Sequence, residues 1–199
     1  MPKSGKIDRG NKEITTATKT AWVILNGPTA SQFEGLNPHP LVGCNYAYKD
    51  WELDHCVAVD RLCVYNIRKD PHPDIDWITK DGVKIDTPPG WRLLKAPGVD
   101  SGTLAIEVGL EIADRVVVMG ADGIMNGSNI NRYYYHWHPK GTRAGRHGRF
   151  RKTAIELNTR EPNRIWFAWD SQDPELQTMP IERAKQEIII ANGKTSRNP

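Results

Sequence analysis

The chain has 199 residues, 38% hydrophobic and 26% charged, which suits one globular core of ordinary domain size. Its 27 basic against 24 acidic side chains leave a net charge of +3, too small to announce a nucleic-acid binder. No apolar run approaches the roughly 20 residues that span a bilayer, and the start MPKSGKIDRGNKE is polar, so neither a membrane span nor a secretory leader is expected, and a cytoplasmic protein is.

Residues 1–19 carry charge and Thr/Ser without apolar periodicity and read as a flexible arm, leaving 20–199 as a single domain. Short apolar runs then alternate with turn signals: Ala21 to Leu25 before Asn26-Gly27-Pro28, Leu41 to Cys44 before Asn45, and Cys56 to Val59 ending at Asp60. Continuous runs of this length predict strands of a sheet covered on both faces. Gly90 to Lys95 predicts a further strand after Pro88-Pro89. Ser101 to about Ala113 predicts the clearest helix, with Ser101 as its cap, and Arg115 to Met119 the next strand. Gly120 to Gly123 breaks it sharply, and 124–150 reads as a long excursion. Lys152 to Arg160 predicts a helix, Arg164 to Trp169 a strand, and Pro180 to Ile190 a closing helix with Pro180 near N1.

This alternation predicts an α/β fold, a Rossmann-like three-layer sandwich with a mainly parallel sheet. Ligands of such sheets bind beyond the carboxyl ends of the strands. The candidate site is therefore Asn26-Gly27-Pro28-Thr29, Asn45, Asp60 and Gly120 to Gly123, joined by Ser101-Gly102-Thr103, where a helix start suits an anion. Gly27 would admit a ligand to the backbone, against the plainer reading of a βα turn, and Asn45 and Asp60 are also explicable as helix caps. Asp60 and Asp122 could hold ribose hydroxyls or a divalent cation, although no dense carboxylate cluster accompanies them. The cysteines Cys44, Cys56 and Cys63, odd in number and without Cys-x-x-Cys spacing, read as reduced thiols in a reducing compartment.

The runs WVILNGPTA, LVGCNYAYKD, HCVAVDR and SGTLAIEVGLEIADRVVVMGADG resemble a Rossmann-type pattern shared by bacterial sialyltransferases and the 6-hydroxymethylpterin diphosphokinase-like family, small phage-encoded relatives included. The similarity covers roughly residues 21–135 and lies in order and spacing. It implies nucleotide contacts from Gly27, Pro28, Thr29 and Asn45, from the Ser101-Gly102 helix start, and from the Gly120-x-Asp122 strand end. The chain departs from the pattern at Thr29, where Ser is usual, and in the basic stretch after Asn131.

That stretch gathers the charge. No acidic residue occurs between Asp122 and Glu156, while Arg132, Lys140, Arg143, Arg146, Arg149, Arg151 and Lys152 contribute seven positive charges, leaving 3 − 7 = −4 for the rest. A basic loop at about 124–152 would be either a solvated excursion or a clamp on phosphates or nucleic acid through Arg132, Arg143, Arg146 and Arg149. Within it, Arg132-Tyr133-Tyr134-Tyr135-His136-Trp137-His138 fits a half-buried strand, a base-stacking surface, or a lid whose His136 or His138 is a general base. A zinc site from His136, His138 and His147 lacks a fourth ligand.

Two functional classes are expected from this. One is a nucleotide-dependent transferase resembling a glycosyltransferase, with Asp122 or His136 as its base and a nucleotide or nucleotide sugar as ligand. The other is a phage-type module that sequesters a nucleotide without turnover or docks on a host protein. Nucleic-acid binding through the basic loop is a further alternative.

Overall fold

The computed structural model describes residues 19–69, 72–81, 87–95, 100–128 and 146–195. Its strands are β1 (Thr20–Ile24), β2 (Leu41–Cys44), β3 (His55–Val57), β4 (Asp76–Lys80), β5 (Arg92–Leu94), β6 (Arg115–Met119), β7 (Ile165–Ala168) and β8 (Thr178–Met179). The helices are α1 (Arg61–Ile67), α2 (Ser101–Ile112), α3 (Asp122–Met125), α4 (Arg146–Arg160) and α5 (Ile181–Thr195), with 3-10 turns at Pro28–Phe33 and Ala47–Lys49. All eight strands join one sheet in the order β5-β4-β3-β2-β1-β6-β7-β8, and every neighbouring pair is parallel.

Two-sided burial explains the unbroken apolar runs. Along β1 and the residue that follows it, Ala21, Val23 and Leu25 meet one core layer while Trp22 and Ile24 meet the other. In β6, Val116 and Val118 face the first layer, and Val117 and Met119 the second. The first layer is closed by Leu104, Ala105, Ile106 and Val108 of α2 with Ala154 and Leu157 of α4. Val64 and Ile67 of α1, Phe33 of the first 3-10 turn, and Ile181, Ala184 and Ile188 of α5 close the second. Helices on both faces of a parallel sheet make the expected Rossmann-like three-layer sandwich.

The strand order fixes where a ligand would enter. The chain steps outward from β1 to β5, then α2 carries it back so that β6 lies on the other flank of β1. The β1–β6 boundary is thus the topological switch point, whose carboxyl-end crevice is the general ligand position of this architecture.

Several elements differ from the sequence expectation. The clearest helix is capped by Asp100, whose Oδ1 accepts from Thr103 N at 3.0 Å and whose Oδ2 accepts from the Thr103 hydroxyl at 2.7 Å, so Ser101 is the first helical residue and not the cap. Asp has one more acceptor than Ser and sits one position earlier, where cap geometry requires it. The helix expected from Lys152 begins at Arg146, so 146–152 are the opening turns of α4 and not part of a loop. The closing helix starts at Ile181, one residue past Pro180. Strand β4, strand β8 and helices α1 and α3 have no counterpart in the expectation, and α3 occupies the start of what was expected to be the long loop, because a single four-residue turn of helix shows no apolar period. Thr20 already belongs to β1, one residue before the run read as its start. Residues 1–18 lie outside the described residues.

Candidate functional site

The register of β1 with β2 and β6 brings Asn26, Asn45 and Gly120 to one edge of the sheet, because Ile24 stands level with both Gly43 and Met119. Beyond that edge the candidate residues divide into two groups. One is engaged in holding the fold, and the other retains open hydrogen-bonding capacity.

The first group straddles β1 and β6. Gly27 N donates to Gly120 O at 2.9 Å, and Asp122 Oδ2 accepts from both Thr29 N at 3.1 Å and the Thr29 hydroxyl at 2.6 Å. Asp122 is only 4% exposed. A Cβ on Gly27 would overlap the Asp122 carboxylate and the Gly120 carbonyl, so the space beside Gly27 is filled by the protein itself. Gly120, at φ +68°, makes the left-handed turn that lets the two loops interlock. Pro28 opens the 3-10 turn, where its fixed φ is suited and its missing N–H costs nothing. Thr103 is engaged with Asp100.

The second group surrounds the amino end of α2. Ser101, 4% exposed, donates its hydroxyl to Asn45 Oδ1 at 3.0 Å and accepts from Val59 N at 3.2 Å, which pins the ends of β2 and β3 to the helix. Asn45 takes φ +54°, a conformation Asn tolerates better than most residues. Its Nδ2 makes no hydrogen bond among the described residues. Asn26 Nδ2 donates to Cys44 Sγ at 3.5 Å, while Asn26 Oδ1 is buried with no partner. Such an orphaned acceptor is rare in folded proteins. The backbone N–H groups of Ser101 and Gly102 have no intrahelical acceptor, since they stand in the first turn. Gly102 packs against Leu25, so the helix start rests directly on the end of β1.

Asp60 occupies the N-cap position of α1 without making a side-chain cap bond and stands exposed at the crevice rim. Burial first, then the charges of Asp100, Cys63 and Asp60, push the Cys44 thiol far above its ordinary range. It is therefore a neutral partner for the Asn26 amide. Burial likewise pushes Cys63 up to about 12, with Asp60 adding to the effect, and Cys56 well above its usual value. All three cysteines are free thiols.

Of the basic residues singled out, Arg132 and Arg143 lie outside the described residues, as do His136, His138 and the 132–138 stretch. Arg146 opens α4 and Arg149 follows one turn later, exposed. Arg151, also in α4, reaches Asp173 at 3.0 Å and Glu175 at 3.0 Å, so its charge is bound up internally. Among the described residues no group of three His, Cys, Asp or Glu side chains could hold a metal ion, and no helix is long and apolar enough to cross a membrane. A second cleft of about 360 Å³ lies between α2 and α4. Four of its charged residues form pairs, Arg160 with Glu107 at 2.8 Å and Arg164 with Glu161 at 2.7 Å.

Two residues that the sequence reading passed over shape this site. Asp100 supplies the cap, and the pattern Asp100-Ser101-Gly102-Thr103 carried that signal, an Asp placed to meet the N–H three residues on. Cys44 orients Asn26, for which the sequence offers no signal beyond its place at a strand end. Comparison of the chain with family models, curated proteins and solved structures returned no match.

Proposed function

We propose that this protein binds a nucleotide-type small molecule at the carboxyl ends of β1, β2 and β3, in the crevice headed by α2. The observation that carries the reading is the convergence of Asn26, Asn45 and the amino end of α2 on the carboxyl ends of β1, β2 and β3 of a doubly wound sheet, where Ser101 bonds Asn45, the first-turn amides of Ser101 and Gly102 have no intrahelical acceptor, and Asn26 Oδ1 is buried without a partner. Polar groups gathered at the strand ends in this way would give a small molecule of mixed hydrogen-bonding character several points of attachment. The resemblance to sialyltransferase-like and diphosphokinase-like sequences favours a nucleotide or nucleotide sugar, and with it a glycosyltransferase-like transferase.

A sequestering module without turnover is the second reading, and a specific observation favours it. Asp122, expected as a base, has one oxygen occupied by two donors from Thr29, and Asp60 is the uncommitted carboxylate at the rim among the described residues. General acid–base work needs a partner within hydrogen-bond reach of the reacting proton.

A thermal-shift screen against nucleoside mono- and diphosphates and nucleotide sugars, followed by mass spectrometry of each mixture, tests both. Ligand at about 100 times its dissociation constant adds about 2.7 kcal/mol of stability. A hit that is consumed establishes a transferase or hydrolase, and a hit recovered intact establishes the sequestering module. No shift with any member sinks the nucleotide reading.

A further inference from the structure

Arg92, Arg115, Arg151, Arg160, Arg164 and Arg183 each meet an acidic side chain at 3.2 Å or less. On α1 the cations meet an aromatic ring instead. The Arg68 guanidinium lies 4.7 Å and the Lys69 ammonium 4.1 Å from the centre of the Tyr65 ring, both within cation–π range. Two long side chains that would otherwise sample many rotamers are thus held in place. Arg68 and Lys69 continue the last turn of α1, through Arg68 N to Val64 O and Lys69 N to Asn66 O, each at 3.1 Å. Arg61, Leu62, Tyr65, Arg68 and Lys69 therefore stand at i, i+1, i+4, i+7 and i+8, one side of the helix, and all five are exposed. Val64 and Ile67, on the other side, close the second core layer. Lys49 lies 5.5 Å over the Tyr46 ring, whose hydroxyl accepts from Asn66 Nδ2 of α1 at 3.1 Å, so a fourth cation stands beside the helix.

A row of exposed cations fixed on a rigid element complements a polyanion. Seven residues separate Arg61 from Arg68, about 10 Å of helix rise, the rise of about three nucleotides of one strand. A stable protein partner would need roughly 20–30 residues on this side, far more than two turns of helix supply. Between the charges stand Leu62 and Tyr65, 47% and 39% exposed. A duplex, with its bases stacked inside, would set phosphates against this apolar surface, whereas a single strand can lay an unstacked base on it. We propose that the outer side of α1 binds single-stranded nucleic acid, with Arg61, Arg68 and Lys69 on its phosphates and Leu62 against a base. Tyr65 is the positioning residue that holds Arg68 and Lys69. None of these side chains belongs to the crevice, so the assignment is independent of the nucleotide reading.

The test is fluorescence anisotropy of labelled oligothymidylate and oligouridylate of about 12 nucleotides, titrated with the full chain at several salt concentrations. Binding of at least one is expected, falling with salt at a log–log slope of about −2, roughly −0.7 for each of three phosphates. Arg68→Gln together with Lys69→Gln is expected to weaken binding at least about tenfold and to flatten the slope by about 1.4. Tyr65→Leu is expected to weaken it too, and Tyr65→Phe to retain it, since the ring holds the cations. All three positions are exposed, and an unchanged urea midpoint verifies that each variant is folded. No binding of either strand, or binding untouched by the Arg68 and Lys69 substitutions, overturns the assignment. Equal affinity for a duplex of the same length, or tighter binding of polyglutamate, overturns it as well. Each of these outcomes leaves the nucleotide reading to its own screen.

Discussion

Asp122 accepts the backbone N–H and the hydroxyl of Thr29 on a single oxygen, in a setting where almost none of its surface meets water. Hydrogen bonds to a charged group are worth about 1.5–3 kcal/mol each, so this pair ties the loop after β1 to the loop after β6 more firmly than an ordinary turn contact does. Asp122→Asn is expected to lower the stability of the unliganded protein by about 1.5–3 kcal/mol, since one neutral carbonyl must replace a carboxylate facing two donors. Gly27→Ala, whose methyl would overlap Asp122 and Gly120, is expected to cost about 1–3 kcal/mol through forced displacement of the interlocked loops. Urea unfolding without ligand measures both. A Gly27→Ala protein as stable as its parent would return Gly27 to the role of ligand contact. Glycine, threonine and aspartate at strand ends are legible in the sequence as special positions, but whether such a residue serves the ligand or the loop opposite depends on a partner some 93 residues away.

Among elements, the strands were readable wherever burial on both faces left an unbroken apolar run, as in β1, β2 and β6. Helix α1 was not, because seven residues hold only Val64 and Ile67 as fully buried contacts and show no full period. Strand β4 hides its pattern between Asp76 and Lys80, and β8 is two residues long. The start of α4 escaped because Gly148 and four basic residues in its first seven positions look like a solvated loop. Arg151 explains in part how that turn is held, bridging to Asp173 and Glu175. Burial works to raise the Asp173 carboxyl, but the Arg151 guanidinium and the backbone N–H groups of Glu175 and Leu176 outweigh it and hold it below its ordinary range. A carboxyl lowered on folding contributes stability that is complete above its unfolded value of about 3.9 and is lost as acid protonates it. Arg151→Met is accordingly expected to cost about 1–2 kcal/mol near neutrality and to flatten the fall of the urea midpoint below about pH 4. A variant whose acid profile superimposes on the parent's would mean that Asp173 is held by the backbone alone.

Across the whole molecule, the two core layers enclose Cys44 and Cys56 on opposite faces of the sheet, with Cys63 on α1. Burial raises all three thiols, so few thiolates exist at neutral pH. Ellman's reagent at about pH 8 is expected to react slowly with the native protein and rapidly with three thiols after unfolding. Fast native labelling of even one would show that a core layer opens more readily than its packing implies. The strand order has a bearing on how this sheet comes to exist at all. Strands β1 to β5 can pair as a half-sheet from the first 95 residues, yet the far flank of β1 is matched by Arg115–Met119, which follow only after α2. Until that segment is made, Trp22, Val23 and Ile24 stand on an open strand edge, a template for pairing with any neighbouring chain. On the ribosome, residues are added at roughly 5–20 per second, so the edge stays bare for on the order of seconds. A chain stopped before β6 should therefore aggregate, while one extended through Met119 has the means to shield its own first strand.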